Sequence, residues 1–201
     1  MDFDKKIIIV EGPQGVGKTT VTNWIREKMP YTNLYRLSGH DTTDENGLDM
    51  SILLYDSLMG HLETINTSQV MNVLMDRSFI SEYVYCKLGY RQYDFGDAFY
   101  QYMRRMDELD NVIILNLYLG DTQLYIDRLT RDKPQHCNVK FDIKNSIKQQ
   151  DIYKEIMTEI SLRFSHICVY DIMADNRDDW IKQIEQVLQN HNLIGSNSRP
   201  I

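Results

Sequence analysis

The chain has 201 residues, of which 42% are hydrophobic and 25% charged, and this composition fits one soluble globular α/β domain. The formal net charge of −7 disfavours a broad electrostatic surface for nucleic acid, although a few arginines would suffice for a small nucleotide pocket. The three cysteines are odd in number and show no CxxC spacing, which disfavours a disulfide framework and a zinc site and indicates a reducing cytoplasm.

The sequence offers no segment of membrane-spanning length. The longest apolar runs, such as Ile7–Val10 and Val112–Leu115, have the length of a strand. The first residues carry no apolar signal segment. We therefore expect a cytoplasmic protein without a membrane partner, built as a single domain over residues 1–194 with a loose tail at 195–201.

Apolar runs of strand length alternate with longer stretches of helical spacing. In chain order, the pattern predicts a strand at 5–10, a helix at 17–28, strands at 33–37 and 70–75 around a helix at 48–65, helices at 81–89 and 95–109, a strand at 111–119, helices at 121–131 and 145–164, a strand at 166–172 and a helix at 177–191. Such alternation predicts a parallel sheet covered by helices on both faces, with ligands bound beyond the carboxyl ends of its strands.

The segment after the first predicted strand, Gly12–Thr19, has the pattern GxxxxGK[ST]. Its glycines allow backbone N–H groups to turn inward around an anion, Lys18 would neutralise β- and γ-phosphates, and the Thr19 hydroxyl would bind Mg²⁺. The strand–loop–helix context therefore predicts a nucleoside triphosphate site. The residues expected to bind the triphosphate are Gly12, Gln14, Gly15, Val16, Gly17, Lys18, Thr19 and Thr20.

A second motif, Asp76-Arg77-Ser78, closes the third predicted strand. An acidic residue at a strand end beside the phosphate loop can hold Mg²⁺ directly or through water, so Thr19 and Asp76 are the predicted metal ligands. The neighbouring Arg77 could reach a phosphate or the acceptor.

A third polar segment follows the second predicted strand, around Gly39–Asp41. Asp41 is the carboxylate closest to the strand end and could accept a proton from an acceptor hydroxyl. His40 could do this instead, or simply line the pocket, and Asp76 is a further alternative for the base.

A basic segment begins near the end of the helix predicted at 121–131. Arg128 and Arg131 are three residues apart and share a helical face, and Lys133 follows them. A mobile lid over about 128–142 could close over the triphosphate, where it would stabilise the transferred charge and exclude water.

Two of these motifs resemble those of the thymidylate kinase and deoxynucleoside kinase group of P-loop kinases. EGPQGVGKTT, at 11–20, resembles the group's EGxxGxGKTT loop, and DRSFISEYVY, at 76–85, is similar to its [DE]R[SY]xxSxxxY segment. The resemblance covers nearly the whole chain. It implies a three-layer α/β/α sandwich with a five-stranded parallel sheet, ATP and Mg²⁺ as donor, and transfer to a nucleoside or nucleotide. By position it implies donor and metal roles for Lys18 and Thr19, a metal or base role for Asp76, an acceptor or phosphate contact for Arg77, and lid roles for Arg128 and Arg131.

Three departures from the group's pattern bear on the acceptor. Gln14 stands where thymidylate kinases have an acidic residue, and RLSGHD stands in place of their REPGG-like segment. The helix segment ILLYDSLMGHLE carries no arginine to grip an acceptor phosphate. A nucleoside, a modified nucleotide and a hydroxymethylated base in DNA, which some viral relatives phosphorylate, therefore all remain open as acceptors.

The leading expectation is an ATP-dependent kinase that phosphorylates a deoxynucleoside or a deoxynucleoside monophosphate. The first alternative is a kinase for a hydroxymethylated base, such as 5-hydroxymethyluracil, in DNA, using a basic track from Lys140, Lys144 and Lys148. The second is a nucleotide-hydrolysing switch, although the sequence has no NKxD-like guanine-reading motif. A homodimer is an open alternative because dimers are common in the group, and a viral origin would place the protein in the host cytoplasm.

Overall fold

The computed structural model describes residues 5–29, 31–37, 43–68, 71–109, 111–132 and 143–195, without the side chains of 130–132 and 143. The strands are β1 (Ile7–Glu11), β2 (Thr32–Arg36), β3 (Asn72–Asp76), β4 (Val112–Tyr118) and β5 (Ile167–Met173). The helices are α1 (Lys18–Lys28), α2 (Glu45–Ser68), α3 (Phe79–Lys87), α4 (Gly96–Asp107), α5 (Gln123–Asp132), α6 (Ile143–Arg163) and α7 (Arg177–Asn190).

The five strands form one parallel sheet in the order β2-β3-β1-β4-β5. β1 lies at its centre, where Val10 is level with Asp76 of β3 and Glu11 is level with Asn116 of β4. Because neighbouring strands are parallel, their carboxyl ends meet at one edge of the sheet. The residues that follow β1, β2 and β3 therefore begin side by side.

Both faces of the sheet are covered, which confirms the predicted three-layer α/β/α architecture. Successive residues of a strand point to opposite faces, so Ile7 and Ile9 join the cluster formed with α2, α3, α4 and α6. Ile8 and Val10 join the cluster formed with α1, α5 and α7. All four side chains are buried, which accounts for the uninterrupted apolar run in the sequence.

The boundary between β3 and α3 is tighter than the sequence pattern predicts. β3 extends to Asp76 and α3 begins at Phe79, so only Arg77 and Ser78 lie between them. Ser78 caps the helix, because its side chain accepts a hydrogen bond from the Ile80 N–H. The early cap starts α3 two residues before the segment in which helical spacing is visible, and it fixes Arg77 at the edge of the sheet.

Within the described ranges, Cys86 and Cys168 are free thiols, while Cys137 lies outside them. No described helix is both long and apolar enough to cross a membrane. Among the same residues, no group of three or more histidine, cysteine, aspartate or glutamate side chains is placed to hold a metal ion.

Candidate functional site

A cavity of about 540 Å³ opens beyond the carboxyl edge of the sheet. The phosphate loop, Asp76, Arg77 and Arg128 line it, so the structure brings these sequence-predicted residues to one place. Its remaining lining residues come from the end of β2, from α1 and α5, from the segment after β5 and from the start of α7: Arg36, Leu37, Val21, Leu129, Ala174, Arg177 and Trp180.

The loop between β1 and α1 depends on glycines at its turning points. Gly12, Gly15 and Gly17 have φ angles of 137°, 82° and 102°, which side-chain-bearing residues rarely adopt. A Cβ on Gly12 would also lie 2.4 Å from the Leu117 carbonyl oxygen. Only glycine can therefore adopt the backbone conformation that this loop needs to surround an anion with N–H groups.

Lys18 places a positive charge at the start of α1. Its side chain is almost fully buried, and its Nζ donates to the carbonyl oxygens of Gly12 at 2.8 Å and Pro13 at 2.7 Å. The ammonium group thus lies against the first two residues of the loop, which leads into the N-terminus of α1. A helix N-terminus and a lysine in this arrangement form a binding site for phosphate oxygens.

Thr19 and Asp76, the two predicted metal ligands, lie side by side next to the loop. The Thr19 hydroxyl donates to Asp76 Oδ2 at 2.9 Å, and the carboxylate is mostly buried. The Arg36 Nε lies 3.9 Å from the same Oδ2. One hydroxyl and one carboxylate suit Mg²⁺, which takes the rest of its coordination shell from water and substrate phosphates.

The Arg77 side chain is partly buried, and its backbone lies in the left-handed region, at a φ of 77°. Its Nη1 donates to the Tyr85 hydroxyl at 2.8 Å and to Ser81 Oγ at 3.3 Å. Burial lowers the pKa of its guanidinium, but nearby Tyr85 and the carboxylates of Glu11 and Asp76 raise the pKa by more, so the side chain stays charged.

Arg128 connects three parts of the cavity wall. From α5, its guanidinium donates to the carbonyl oxygens of Val16 at 2.8 Å, Ala174 at 2.6 Å and Asp175 at 3.1 Å. It therefore joins the phosphate loop to the segment after β5. The side chain of Arg131, the residue Asp41 and most of the predicted lid lie outside the described residues, so their roles stay predictions.

Helix α6 supports the first half of the loop at Gln14. The Gln14 N–H donates to Gln149 Oε1 at 3.0 Å, and its carbonyl oxygen accepts from Ser146 Oγ at 3.2 Å. Both α6 side chains are buried. Gln14 is thus held through its backbone, which leaves its side chain at the cavity wall.

Solved structures share this architecture at low sequence identity. The YorR protein of Bacillus subtilis, in complex with phosphorylated GDP, matches with a TM-score of 0.63 and 17% identity over 92% of this chain and 98% of that chain. Thymidylate kinase from Candida albicans matches with a TM-score of 0.58 and 14% identity over 98% of both chains. Deoxyadenosine kinase from M. mycoides, with dCMP and dCDP bound, matches with a TM-score of 0.57 and 16% identity over 92% of this chain and 99% of that chain.

This chain therefore shares its fold with a thymidylate kinase and a deoxyadenosine kinase. The sequence itself matches no protein-family model, and no curated protein sequence matches it significantly. The likeness therefore establishes the architecture of the sheet and its helices, and the chemistry has to be argued from the residues at the cavity.

The protein also contains a fully buried carboxylate that the sequence analysis missed. Glu11 ends β1, directly before the first loop glycine, and its side chain is 0% exposed. It accepts hydrogen bonds from Ser78, Ser81 and Tyr153. A sequence signal does exist, since a carboxylate that ends a buried apolar strand must find partners inside the protein.

Two arginines of the cavity were also missed. Arg36 is the last residue of β2 and Arg177 is the first residue of α7. The rule that ligands bind beyond the carboxyl ends of strands would have selected Arg36 from its position. Arg177 has a weaker signal, because it lies four residues beyond the end of β5.

Proposed function

We propose that the protein is an ATP- and Mg²⁺-dependent kinase that transfers a γ-phosphoryl group to a deoxynucleoside monophosphate or a deoxynucleoside. The observation that carries this proposal is the convergence of Lys18, the Thr19–Asp76 pair and Arg77 on one cavity. A cation inside a phosphate loop, two candidate metal ligands and an arginine at the cavity wall are the parts that phosphoryl transfer requires.

The donor half of the reaction is assigned to the phosphate loop. The loop N–H groups would bind the β- and γ-phosphates, and Lys18 would exchange its two carbonyl partners for phosphate oxygens. Thr19 and Asp76 would hold Mg²⁺, which neutralises charge on the β- and γ-oxygens when bound. Catalysis then rests on positioning and on charge stabilisation in a site that excludes water.

The order of the strands separates the donor side of the cavity from the acceptor side. Arg128, Ala174 and Trp180 lie towards β4 and β5, while Arg36 and Arg77 lie at the ends of β2 and β3. We assign the donor base to the first group and the acceptor to the second, with the phosphate loop of β1 between them.

The two arginines favour an acceptor that carries a phosphate. Two phosphate groups that approach each other repel, and Arg36 and Arg77 would neutralise part of that charge. A phosphate oxygen is already deprotonated at neutral pH, so it needs no catalytic base. Among the described residues that line the cavity, Asp76 is the one carboxylate, and it is bonded to Thr19. Of the two acceptor classes, the deoxynucleoside monophosphate is therefore favoured.

The test compares free deoxynucleosides with their monophosphates as acceptors, for the wild type and for Arg36→Met. Loss of the Arg36 charge is expected to raise KM for the monophosphate roughly tenfold, because a charged hydrogen bond to phosphate is lost. Arg26→Met, which changes an exposed arginine of α1, serves as the matched control. Phosphorylation of nucleosides with monophosphates inert would contradict the acceptor assignment, and label appearing only in modified DNA would favour the DNA-base kinase instead.

A further inference from the structure

The buried carboxylate of Glu11 connects the phosphate loop to the turn that carries Arg77. Its Oε1 accepts from the Ser78 N–H at 2.6 Å and the Ser78 hydroxyl at 2.7 Å. Its Oε2 accepts from the Ser81 hydroxyl at 2.7 Å and the Tyr153 hydroxyl at 3.2 Å. One side chain of β1 therefore contacts the turn after β3, helix α3 and helix α6.

Keeping a carboxylate at this position is energetically unfavourable for the fold alone. Burial raises the pKa of Glu11, while the Ser81 and Ser78 hydrogen bonds and the charges of Arg77 and Lys18 lower it by less in total. Removing an ionised group from water costs several kcal/mol, and well-packed apolar residues often replace such groups without loss of stability. A role in orienting neighbouring groups would explain why a charge is placed here.

The turn that Glu11 contacts has a strained backbone. Arg77 adopts a φ of 77°, which costs an arginine on the order of 1–3 kcal/mol. The Arg77 N–H donates to the Val10 carbonyl oxygen at 3.1 Å, and the next N–H, that of Ser78, donates to Glu11. Two consecutive residues of β1 thus hold two consecutive N–H groups of the turn, which keeps Arg77 in this conformation.

Glu11 also acts on the Arg77 side chain through Ser81. The Ser81 hydroxyl donates its proton to Glu11 Oε2, so its lone pairs remain available as acceptors. One of them accepts from Arg77 Nη1 at 3.3 Å. The carboxylate therefore fixes the direction of the Ser81 hydroxyl, and this direction fixes one edge of the guanidinium.

We propose that Glu11 is a positioning residue for the phosphoryl-transfer site: it contacts no substrate, and it holds Arg77 in the orientation that faces the acceptor phosphate. The inference rests on the proposed function, since it assigns Arg77 to the acceptor side of the cavity. Glu11 does not line the cavity, and this positioning role would explain why a carboxylate is buried there.

Glu11→Gln tests this assignment with little change in volume. The amide would donate to Ser81 Oγ, so the serine proton would turn towards the place where Arg77 donates. The expected result is a fall in kcat/KM for the acceptor of about tenfold to a hundredfold, because the guanidinium is misplaced. ATP affinity should change by less than about threefold, and the melting temperature should not fall.

Glu159→Gln is the matched control, because Glu159 also accepts from a tyrosine hydroxyl, that of Tyr100, on a part of α6 that does not line the cavity. Ser81→Ala provides a second variant in case Glu11→Gln fails to fold, since it leaves the carboxylate in place and removes the hydroxyl through which Glu11 acts on Arg77. The double variant should be no slower than Glu11→Gln alone. Additive losses, or a wild-type acceptor kcat/KM in Glu11→Gln, would overturn the positioning role.

A readout that needs no turnover separates this inference from the proposed function. Solvent exchange of the Arg77 Nη1 protons, followed by NMR and identified with Arg77→Lys, should be slow in the wild type and faster in Glu11→Gln. If no acceptor is phosphorylated by the wild type, the proposed function fails while this exchange comparison still decides the positioning role. Equal exchange rates in the two proteins would contradict that role even in an active kinase.

Discussion

At the scale of single residues, Lys18 concentrates the positive charge of the phosphate loop. Its Nζ lies within 2.8 Å of two loop carbonyl oxygens, inside the curve where the triphosphate would bind. The carbonyls hold the ammonium group in place without neutralising its charge. The group is therefore ready to exchange these partners for phosphate oxygens.

We expect Lys18→Ala to lower kcat/KM for ATP by about 100-fold or more while the fold survives, because a charge that stabilises the transferring phosphoryl group is lost. Initial rates and thermal unfolding measure the two effects. Lys182→Ala, at an exposed lysine of α7, should leave both unchanged. An unchanged rate in Lys18→Ala would refute the donor assignment.

The buried Glu11 predicts a pH dependence of stability. Its pKa in the folded protein lies above the ordinary value of 4.5 because of burial, so the folded protein binds its proton more tightly than the unfolded chain does. The wild type should therefore lose stability relative to Glu11→Gln as the pH rises from 4.5 through the folded pKa. Urea unfolding of both proteins at a series of pH values measures the difference, and an opposite trend would show that the carboxylate is stabilised in the fold.

At the scale of secondary-structure elements, alanine substitutions at Gly12 of the phosphate loop and Gly60 of α2 should have opposite effects on stability. A Cβ on Gly60, in the exposed face of α2, would meet no atom within 4 Å, whereas Gly12 has a φ of 137° and a carbonyl oxygen 2.4 Å from the Cβ position. Gly60→Ala should raise the free energy of unfolding by about 0.5–1 kcal/mol, since alanine loses less backbone entropy in a helix. Gly12→Ala should lower it and also weaken ATP binding. Chemical denaturation measures both, and a destabilised Gly60→Ala would contradict the described packing of α2.

The elements also show which features the sequence could predict. The alternation of strands and helices follows from apolar periodicity, and the phosphate loop and Asp76-Arg77-Ser78 follow from the strand-end rule. Glu11 could not be assigned because its partners Ser78 and Tyr153 are 67 and 142 residues away along the chain. The end of a buried apolar strand indicates that a carboxylate there needs partners inside the protein, but the local pattern does not show which distant groups supply them.

At the scale of the whole molecule, the charge of the cavity is opposite in sign to the net charge of the chain. The protein carries a formal net charge of −7, yet among the described residues five basic side chains and one carboxylate line the cavity. The acidic residues therefore lie mainly elsewhere, and the basic groups are concentrated where phosphates would meet. The five basic residues come from α1, β2, the β3–α3 turn, α5 and α7: Lys18, Arg36, Arg77, Arg128 and Arg177.

The strand order explains how residues from such distant parts of the sequence share one cavity. β1 supplies the phosphate loop at the centre, β3 and β2 supply Arg77 and Arg36 on one side, and the segment after β5 lies on the other. A donor and an acceptor could thus approach from opposite sides of the loop, which is the geometry that in-line transfer needs. A hydrolysing switch would need a positioned water instead of an acceptor side.

The most direct test follows the γ-phosphoryl group of labelled ATP in the presence of Mg²⁺, with and without deoxynucleoside monophosphates. The proposed kinase predicts that ADP forms only when an acceptor is present and that the label appears in the corresponding diphosphate. Lys18→Ala should show neither product. Equally rapid release of inorganic phosphate with and without every acceptor would contradict the kinase assignment and would identify the protein as a nucleotide-hydrolysing enzyme.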